Sequence, residues 1–363
     1  MRKSSKLKVY FLTTSNAGTT YFRMFQYKEA MNRLGLASAV IPWFHYKNLY
    51  AQEWQWHVHD DPNVSGRKGL INNMVKQADI IVVQYLHTME ALCLIEALKA
   101  CYPEKVFLTE IDDYIAETPV DFQCFKDYQP GSKYRTIVME QIKALDGVIV
   151  STPYLKEVYQ ELNPYIYVVP NGLDFKAWDK IPKFHAKFET RIGWSGADNH
   201  SADLKTIEIP LRKYLSESDN VMLHLNHGAP KDWREQSKTV WHKHWTWMNK
   251  YSKHLCKLGF DIGLAPLEPN DFKRAKSNLR RLEYGALQIP VLGQRWGHLE
   301  ETTEHGKDGF LYSNEEEFVK YLDILVKNKS LREDMGRHNR LTAGRDFSIE
   351  AVTRTYVEAL KEA

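Results

Sequence analysis

The sequence contains little cysteine and no long apolar run, and both absences limit the kind of protein it encodes. Its 363 residues include four cysteines, and no two of them have the C-x-x-C spacing typical of zinc modules and redox motifs. A disulfide framework is disfavoured as well, so we expect a reducing, cytoplasmic location. No apolar stretch approaches the roughly 20 residues that a membrane-spanning helix needs. We therefore expect neither a signal peptide nor a transmembrane helix.

The sequence also lacks a strong excess of charge of either sign. Lysine and arginine number 49, aspartate and glutamate 46, and the net charge is +3, a balance that does not indicate a polyanionic partner. No G-x-G-x-x-G follows the first apolar run, which disfavours a nicotinamide dehydrogenase. Aromatic residues, by contrast, are abundant, with 10 Trp and 20 Tyr. Their flat apolar faces suit packed cores and also sugar rings and bases.

Short apolar runs alternate with helical stretches in two successive series, from "KVYFLTT" to "DGVIVST" and from "RIGWSG" to "IPVLGQ". Strands that alternate with helices predict a parallel sheet covered on both faces, so we expect an α/β chain with two Rossmann-like domains. Prolines and an Asn-Gly turn mark the join. We place the domains at residues 1–172 and 173–345. Residues 346–363 have the apolar spacing of a helix.

Residues 261–292, "DIGLAPLEPNDFKRAKSNLRRLEYGALQIPVL", carry the most specific pattern. Ser277 and Asn278 stand where a helix would start after a strand and a loop, so backbone N–H groups and the positive helix end would face an anion such as a diphosphate. Arg274 and Lys276 add the positive charge that a departing nucleotide diphosphate needs. The alternative interpretation is a solvated basic helix start with an intrahelical ion pair.

This segment resembles the donor-site signature of the group 1 glycosyltransferases, the retaining family numbered four. Three further pieces follow in that family's order, "NAGTTYFR", "VVPNGLD" and "IGWSGADNHSADL". The resemblance covers most of the chain and is closest to a subgroup with an acidic "EIDD" stretch, here Glu110–Asp113. It implies the GT-B architecture, in which two Rossmann-like lobes face a cleft. The first lobe is then the acceptor side, the second binds the nucleotide sugar, and the C-terminal helix returns to the first.

The resemblance also implies roles for residues of the second domain. Glu283 would accept hydrogen bonds from the donor ribose, and the glycine loop at Gly196 lets a ligand approach the backbone. The family presents an arginine and a lysine to the phosphates near positions occupied here by Trp194 and His200. Only His200 is then a candidate phosphate donor, and a satisfied structural histidine is the alternative. The family's first, sugar-contacting glutamate is replaced by Ala275, which leaves the donor sugar open.

In the first domain, the loop "SNAGTTYFR" follows the first strand. The resemblance places this loop across the cleft from the donor, with Gly18, Tyr21 and Arg23 on the acceptor side, whereas an ordinary β-to-α turn is the alternative. Asp112 and Asp113 come just after another strand, at the edge where α/β sheets bind ligands. They are candidates for the acceptor base or for anchors of sugar hydroxyls. Helix capping and binding of a divalent ion are the alternatives.

A metal ion is not expected, because a helix end and basic residues neutralise the leaving diphosphate in GT-B enzymes. Two histidine pairs have a spacing that places both side chains on one face of a strand: His57 with His59, and His242 with His244. No third ligand is evident beside either pair in the sequence.

Together, these observations predict a glycosyltransferase that moves a sugar from a nucleotide-diphosphate sugar to an acceptor hydroxyl with retention and without a cofactor. The catalytic candidates are Asp112, Asp113 and Lys276. The expected acceptor is a polysaccharide or glycolipid. A hydroxymethylated base in DNA is the alternative acceptor, because residues 231–257 are aromatic and basic. A non-catalytic nucleotide-sugar-binding protein, which Ala275 supports, and a sugar-nucleotide epimerase are alternatives of other classes.

Overall fold

The computed structural model describes residues 7–14, 18–42, 72–120, 122, 125–179, 188–197, 200–243 and 248–363. Within these residues the chain forms two six-stranded sheets, and every strand pairing is parallel. The expectation of an α/β chain built on two parallel sheets is therefore confirmed. His57, His59 and His244 lie outside the described residues. In the described part of the chain, no helix is long and apolar enough to cross a membrane.

The first sheet contains β1 (Lys8–Thr13), β2 (Ala37–Pro42), β3 (Ile80–Gln84), β4 (Val106–Ile111), β5 (Gly147–Val150) and β6 (Ile166–Val168). Their spatial order is β2-β1-β3-β4-β5-β6. All five residues of β3 are buried, as expected of a strand that helices cover on both faces. The helices described beside this sheet are α1 (Gln26–Arg33), α2 (Met89–Cys101), α3 (Lys133–Ala144) and α4 (Pro153–Tyr159).

Helix α1 continues a helical turn at Gly18–Thr20 and a π-helical segment at Tyr21–Phe25. Arg23, in the π-helical segment, is completely buried. Its Nε donates to Glu110 Oε1 at 2.6 Å and its Nη1 donates to the Val169 carbonyl at 2.7 Å. Burial opposes the charge on Arg23, but the Glu110 carboxylate outweighs it and the pKa of Arg23 is raised. Arg23 therefore ties the segment after β1 to β4 and to the residue that follows β6.

The second sheet contains β7 (Thr190–Gly196), β8 (Val221–His227), β9 (Thr239–His242), β10 (Ile262–Ala265), β11 (Val291–Gln294) and β12 (Gly309–Tyr312). Their order is β12-β11-β10-β7-β8-β9. The chain therefore moves outward from β7 through β8 to β9 and then returns to build the other side from β10. The loops that follow β7 and β10 leave the sheet at this reversal, which is where open α/β sheets bind ligands.

The helices described beside the second sheet are α5 (Phe175–Asp179), α6 (Ser201–Lys205), α7 (Glu208–Glu217), α8 (Lys231–Arg234), α9 (Met248–Leu258), α10 (Asp271–Arg274), α11 (Leu279–Ala286), α12 (Gly297–Thr302), α13 (Glu315–Lys327) and α14 (Lys329–Phe347). The pattern of residues 201–216 predicts one helix, but the structure has α6 and α7. The interruption follows from Pro210, whose ring would clash with the Thr206 carbonyl in a continuous helix. The pattern also did not single out strands β9 and β12.

The described chain divides into two compact units that are not continuous in sequence. The first comprises Met1–Ala116, Lys126–Pro170 and Thr353–Ala363, and the second comprises Glu117–Phe125 and Asn171–Val352. The segment Glu117–Phe125, expected in the first domain, thus belongs to the second unit. Its Phe122 ring packs edge-on against Phe272 with centroids 4.8 Å apart, a contact that the pattern of apolar residues does not predict.

The final helix, α15 (Ile349–Glu362), passes from the second unit into the first. The apolar positions that predict this helix are all buried: Ile349, Val352, Tyr356 and Leu360. Within the first unit, Tyr356 packs edge-on against Phe11, with ring centroids 6.1 Å apart, and against Tyr27, at 4.9 Å. The last ten or so residues are therefore part of the first unit's core, as expected for the C-terminal helix.

Arg23→Met should lower the free energy of unfolding by about 3 to 5 kcal/mol, because it leaves the Glu110 carboxylate buried without its partner charge. Urea-unfolding curves would measure this loss. Arg345→Met is the matched control, since Arg345 is 73% exposed and pairs only with its neighbour Asp346 at the surface, and it should leave the curve unchanged. A loss below about 1 kcal/mol for Arg23→Met would contradict this view of the pair.

Candidate functional site

The buried carboxylate of Asp203 connects the loops that follow β7 and β10. Its Oδ2 lies 3.0 Å from His200 Nδ1, just before α6. Its Oδ1 lies 2.9 Å from Lys273 Nζ and accepts a hydrogen bond from the Glu268 backbone N–H at 3.1 Å. Asp203 is completely buried and Lys273 is 1% exposed. One carboxylate thus holds together the loops that follow β7 and β10, where the strand order of the second sheet reverses.

The charges in this cluster follow from burial and from the mutual contacts. Burial opposes the charge on Asp203, but the hydrogen bond from His200 and the charge of Lys273 lower its pKa to about 2. Burial lowers the pKa of His200 to about 4, although Asp203 opposes this shift. Burial also lowers the pKa of Lys273, again against the effect of Asp203. At neutral pH the carboxylate is therefore ionised and the imidazole is neutral.

The tautomer of His200 changes the role that the sequence predicts for it. An ionised carboxylate only accepts hydrogen bonds, so the proton of the neutral imidazole sits on Nδ1 and faces Asp203. Nε2 then carries a lone pair and accepts a hydrogen bond instead of donating one. This arrangement disfavours the expected contact between His200 and a phosphate, and it suits a ligand hydroxyl.

Helix α11 begins as the sequence predicts, with Asn278 at its N-cap position. The Asn278 side chain makes no capping hydrogen bond, and its Nδ2 donates to Thr302 Oγ1 at 3.1 Å. Ser277 Oγ accepts a hydrogen bond from Asn171 Nδ2 at 2.7 Å. The first backbone N–H groups of an α-helix have no intrahelical partner. The start of α11 therefore presents backbone donors and the positive end of the helix dipole.

The two predicted cations before α11 differ in their surroundings. Lys276 Nζ lies 4.4 Å from the centroid of the Phe272 ring and 5.6 Å from that of Phe122. Arg274 is exposed, and its charge adds to the hydrogen bond from His298 in lowering the pKa of Glu301 on α12. Of these two cations, Lys276 packs over aromatic rings, whereas Arg274 exerts its charge on Glu301 of α12.

Arg280 and Lys273 belong to this cluster, although they were not predicted as site residues. The Arg280 guanidinium carbon lies 5.4 Å from the centroid of the Trp194 ring. A Cβ added at Gly196 would stand 2.5 Å from the Trp194 ring and 3.1 Å from Arg280 Nη2, so the glycine leaves room chiefly for the tryptophan that Arg280 packs on. Arg280 lies one turn after Ser277, a helical spacing that was available as a signal. It places a cation beside the loop that follows β7.

Glu283 lies on the same helix and is 6% exposed. Burial raises its pKa to about 7, against the hydrogen bond from Tyr251 and the charge of Arg280. The Tyr251 hydroxyl lies 3.1 Å from Glu283 Oε2. Ala275 is completely buried. Glu283, the residue predicted to bind the donor ribose, lies in the same unit as the start of α11.

The predicted site residues of the first unit differ in their exposure: four are partly exposed and Arg23 is fully buried. Gly18 and Tyr21 are half-buried at the helical turn that follows β1, and Asp112 and Asp113 are half-buried just after β4. Arg23 has no exposed surface, so the structure corrects the expectation that its side chain shapes the acceptor side directly. Its role is to hold the sheet ends together, because its guanidinium is used for the internal bonds described above.

Of the four histidines that the sequence pairs as possible metal ligands, the structure describes His242, and its neighbour is His224. His242 Nε2 lies 3.1 Å from His224 Nδ1, and the two rings are stacked. Over the residues that the structure describes, no group of three or more His, Cys, Asp or Glu side chains is placed to hold a metal ion.

Comparisons with known proteins place this geometry in a wider class. Residues 213–358 match a family model described as glycosyl transferase-like, and no curated protein matches the sequence. Three solved structures share the fold: Anabaena HepE in complex with UDP-glucose (13% identity, TM-score 0.68, 98% of this chain and 100% of that chain), sucrose-phosphate synthase from Thermosynechococcus elongatus (12%, 0.66, 98% and 99%) and a glycosyltransferase from Rickettsia africae (17%, 0.67, 99% and 98%).

At these identities the structural likeness shows the fold, and the fold is that of GT-B glycosyltransferases. The chain therefore has the GT-B architecture, and its residues 213–358 are similar to the glycosyl transferase-like family. The match covers α11 and the cation cluster around its start.

The neutral state of His200 predicts how stability depends on pH. The pKa of His200 is about 4 in the folded protein against a usual 6.5, so between these values the unfolded chain takes up a proton that the folded chain does not. Stability should therefore fall as the pH is lowered from 6.5 toward 4, and His200→Gln should flatten this part of the profile from urea unfolding. Asp232→Asn, at an exposed side chain, is the control. Parallel profiles for His200→Gln and the wild type would refute the prediction.

Proposed function

We propose that the chain transfers a sugar from a nucleotide-diphosphate sugar to an acceptor hydroxyl, with retention at the anomeric carbon. One observation carries the proposal: the start of α11, with Lys276 before it and Arg280 in its first turn, lies where the second sheet reverses its strand order. The diphosphate would bind at this helix start and the ribose at Glu283. The UDP-glucose bound to the Anabaena protein of the same fold supports a nucleotide sugar as donor.

The proposed mechanism is mainly one of positioning and charge neutralisation. As the bond between the sugar and the diphosphate breaks, negative charge grows on the leaving phosphate, and donors already fixed in place stabilise it without reorganising. The α11 backbone, Lys276 and Arg280 would be these donors. No protein nucleophile is assigned. His200 Nε2 would accept a hydrogen bond from a hydroxyl of the donor sugar, a role that its tautomer permits.

The acceptor would be a polysaccharide or a glycolipid. Asp112 or Asp113 would act as the base that takes the acceptor proton, or as an anchor for sugar hydroxyls. Their half-buried position just after β4 supports this assignment, because ligands of α/β sheets bind at the carboxyl ends of the strands. Retention rests on the resemblance of the donor segment to a retaining family.

A screen of nucleoside diphosphates and their sugars tests the proposal directly. A ligand at about one hundred times its dissociation constant adds ~2.7 kcal/mol of stability, so thermal unfolding would reveal the donor base and sugar. Turnover of the stabilising sugar nucleotide with oligosaccharide, glycolipid and hydroxymethylated-DNA acceptors would then identify the acceptor. Stabilisation by a nucleotide sugar with no transfer to any acceptor would favour a binding protein, and conversion of the donor alone would favour an epimerase.

Lys276→Ala should lower kcat/KM by about 30- to 1000-fold, because removing one donor to the developing charge typically costs ~2 to 4 kcal/mol of transition-state stabilisation. Steady-state kinetics with the identified donor would measure the loss. Lys329→Ala, at a side chain that is 80% exposed, is the control and should keep wild-type kinetics. An unchanged kcat/KM for Lys276→Ala would remove Lys276 from the reaction.

Arg280→Gln should weaken binding of the nucleoside diphosphate by about tenfold or more, since a hydrogen bond to a charged group contributes roughly 1.5 to 3 kcal/mol. Calorimetric titration would give the affinity. Arg212→Gln is the matched control, because Arg212 also packs over a tryptophan, Trp233, at 5.6 Å but lies on α7. If the two variants bind equally well, Arg280 serves packing on Trp194 and not the phosphates.

A further inference from the structure

A chain of hydrogen bonds within the second unit ends at Glu283. His254 Nε2 lies 2.8 Å from Asn226 Oδ1, and Asn226 Nδ2 lies 3.0 Å from Ser195 Oγ. Ser195 Oγ lies 3.2 Å from the Tyr251 hydroxyl, which lies 3.1 Å from Glu283 Oε2. The chain crosses β7, β8, α9 and α11, and both Ser195 and Asn226 are buried.

The chemistry of the groups gives this chain a direction. The Asn226 amide nitrogen only donates, so Ser195 Oγ accepts from it. Ser195 then offers its own hydrogen to Tyr251, and Tyr251 offers its hydrogen to Glu283. Each donor thus points toward the carboxylate, and successive bonds of this kind polarise and strengthen one another.

We propose that Tyr251 is a positioning residue that fixes the Glu283 carboxylate so that it accepts the ribose hydroxyls of the nucleotide donor. The inference rests on the proposed function, because that function assigns the ribose to Glu283. The Tyr251 ring is itself held edge-on by Trp178, with centroids 6.4 Å apart. A carboxylate bonded through Oε2 cannot rotate freely, and its other oxygen is held ready for the ligand.

The same contact ties nucleotide binding to pH. The titratable and charged groups around Glu283 are Tyr251 from α9 and Arg280 and Tyr284 from its own helix. Burial raises the pKa of Glu283 to about 7, whereas the Tyr251 hydrogen bond and then Arg280 lower it. Removing the Tyr251 hydroxyl therefore raises this pKa further. Affinity that needs the carboxylate form should then be lost at a higher pH than in the wild type.

A double-mutant cycle on the full chain tests the proposal, with calorimetric titration of UDP, GDP and ADP and of their 2′-deoxy counterparts. Tyr251→Phe should weaken binding of the preferred ribonucleotide by about 2- to 10-fold, the factor that one hydrogen bond typically contributes. The same change in a Glu283→Gln background should have no further effect, because Tyr251 acts through Glu283. The pH midpoint of binding should rise in Tyr251→Phe and vanish in Glu283→Gln.

Tyr214→Phe is the matched control, since the Tyr214 hydroxyl also bonds a carboxylate, that of Asp323 at 3.1 Å, but on another helix. It should leave affinity and pH midpoint unchanged. If Tyr251→Phe does not fold, Ser195→Ala removes the preceding link and should raise the midpoint in the same direction.

The outcomes distinguish the positioning role of Tyr251 from the proposed function on which it rests. Equal losses from Tyr251→Phe in both backgrounds, or an unmoved midpoint in Tyr251→Phe and Ser195→Ala, would overturn the positioning role while the ribose contact stands. If Glu283→Gln binds ribonucleotides as tightly as the wild type, and 2′-deoxy nucleotides bind equally well, the ribose assignment itself fails. Absence of binding by every diphosphate would reject the proposed function.

Discussion

The loops after β7 and β10 in the second unit depend on one buried carboxylate, that of Asp203. Removing a carboxylate and an ammonium from water is costly, and their attraction offsets the cost only when the geometry is good and further hydrogen bonds are made. Asp203 meets this condition by bonding Lys273, His200 and the Glu268 backbone N–H. The pair also joins the loops after β7 and β10, so the electrostatic requirement and the shape of the site are satisfied by the same atoms.

This anchoring explains how one short basic stretch serves several purposes. Residues 273–281, "KRAKSNLRR", contain five basic side chains, and the turn between α10 and α11 sends them in different directions. Two of them form buried ion pairs: Lys273 pairs with Asp203, and Arg281 pairs with Asp308 at 2.7 Å. Lys276 and Arg280 stay beside the start of α11, and the charge of Arg274 lowers the pKa of Glu301 on α12. Helix geometry thus divides one basic stretch into two internal ion pairs and three side chains that remain at or near the start of α11.

The sequence predicts the fold well because strands and caps are local signals. Buried apolar runs predicted most strands of both sheets but not β9 and β12, and Asn278 marked the start of α11. The site was predicted less fully, because burial and tautomer are tertiary properties. The family resemblance placed Arg23 on the acceptor side, but its buried partner Glu110 lies 87 positions away in sequence. His200 was expected to donate to phosphate, but Asp203 holds its proton on Nδ1 and leaves Nε2 as an acceptor. Arg280 on α11 was overlooked because its neighbours Trp194 and Gly196 lie on β7, more than 80 positions earlier in the sequence.

The path of the chain between its two units has a consequence for protein engineering. Glu117–Phe125 leaves the first unit to place Phe122 on Phe272, and the last residues leave the second unit to place Tyr356 on Phe11 and Tyr27. Neither unit is therefore a single stretch of the gene. A chimera with one junction near residue 170 would bring a foreign Phe272 environment to the native Phe122, and a foreign C-terminus to the native core. Exchange of the second unit between relatives would have to move two segments together, Glu117–Phe125 and Asn171–Val352.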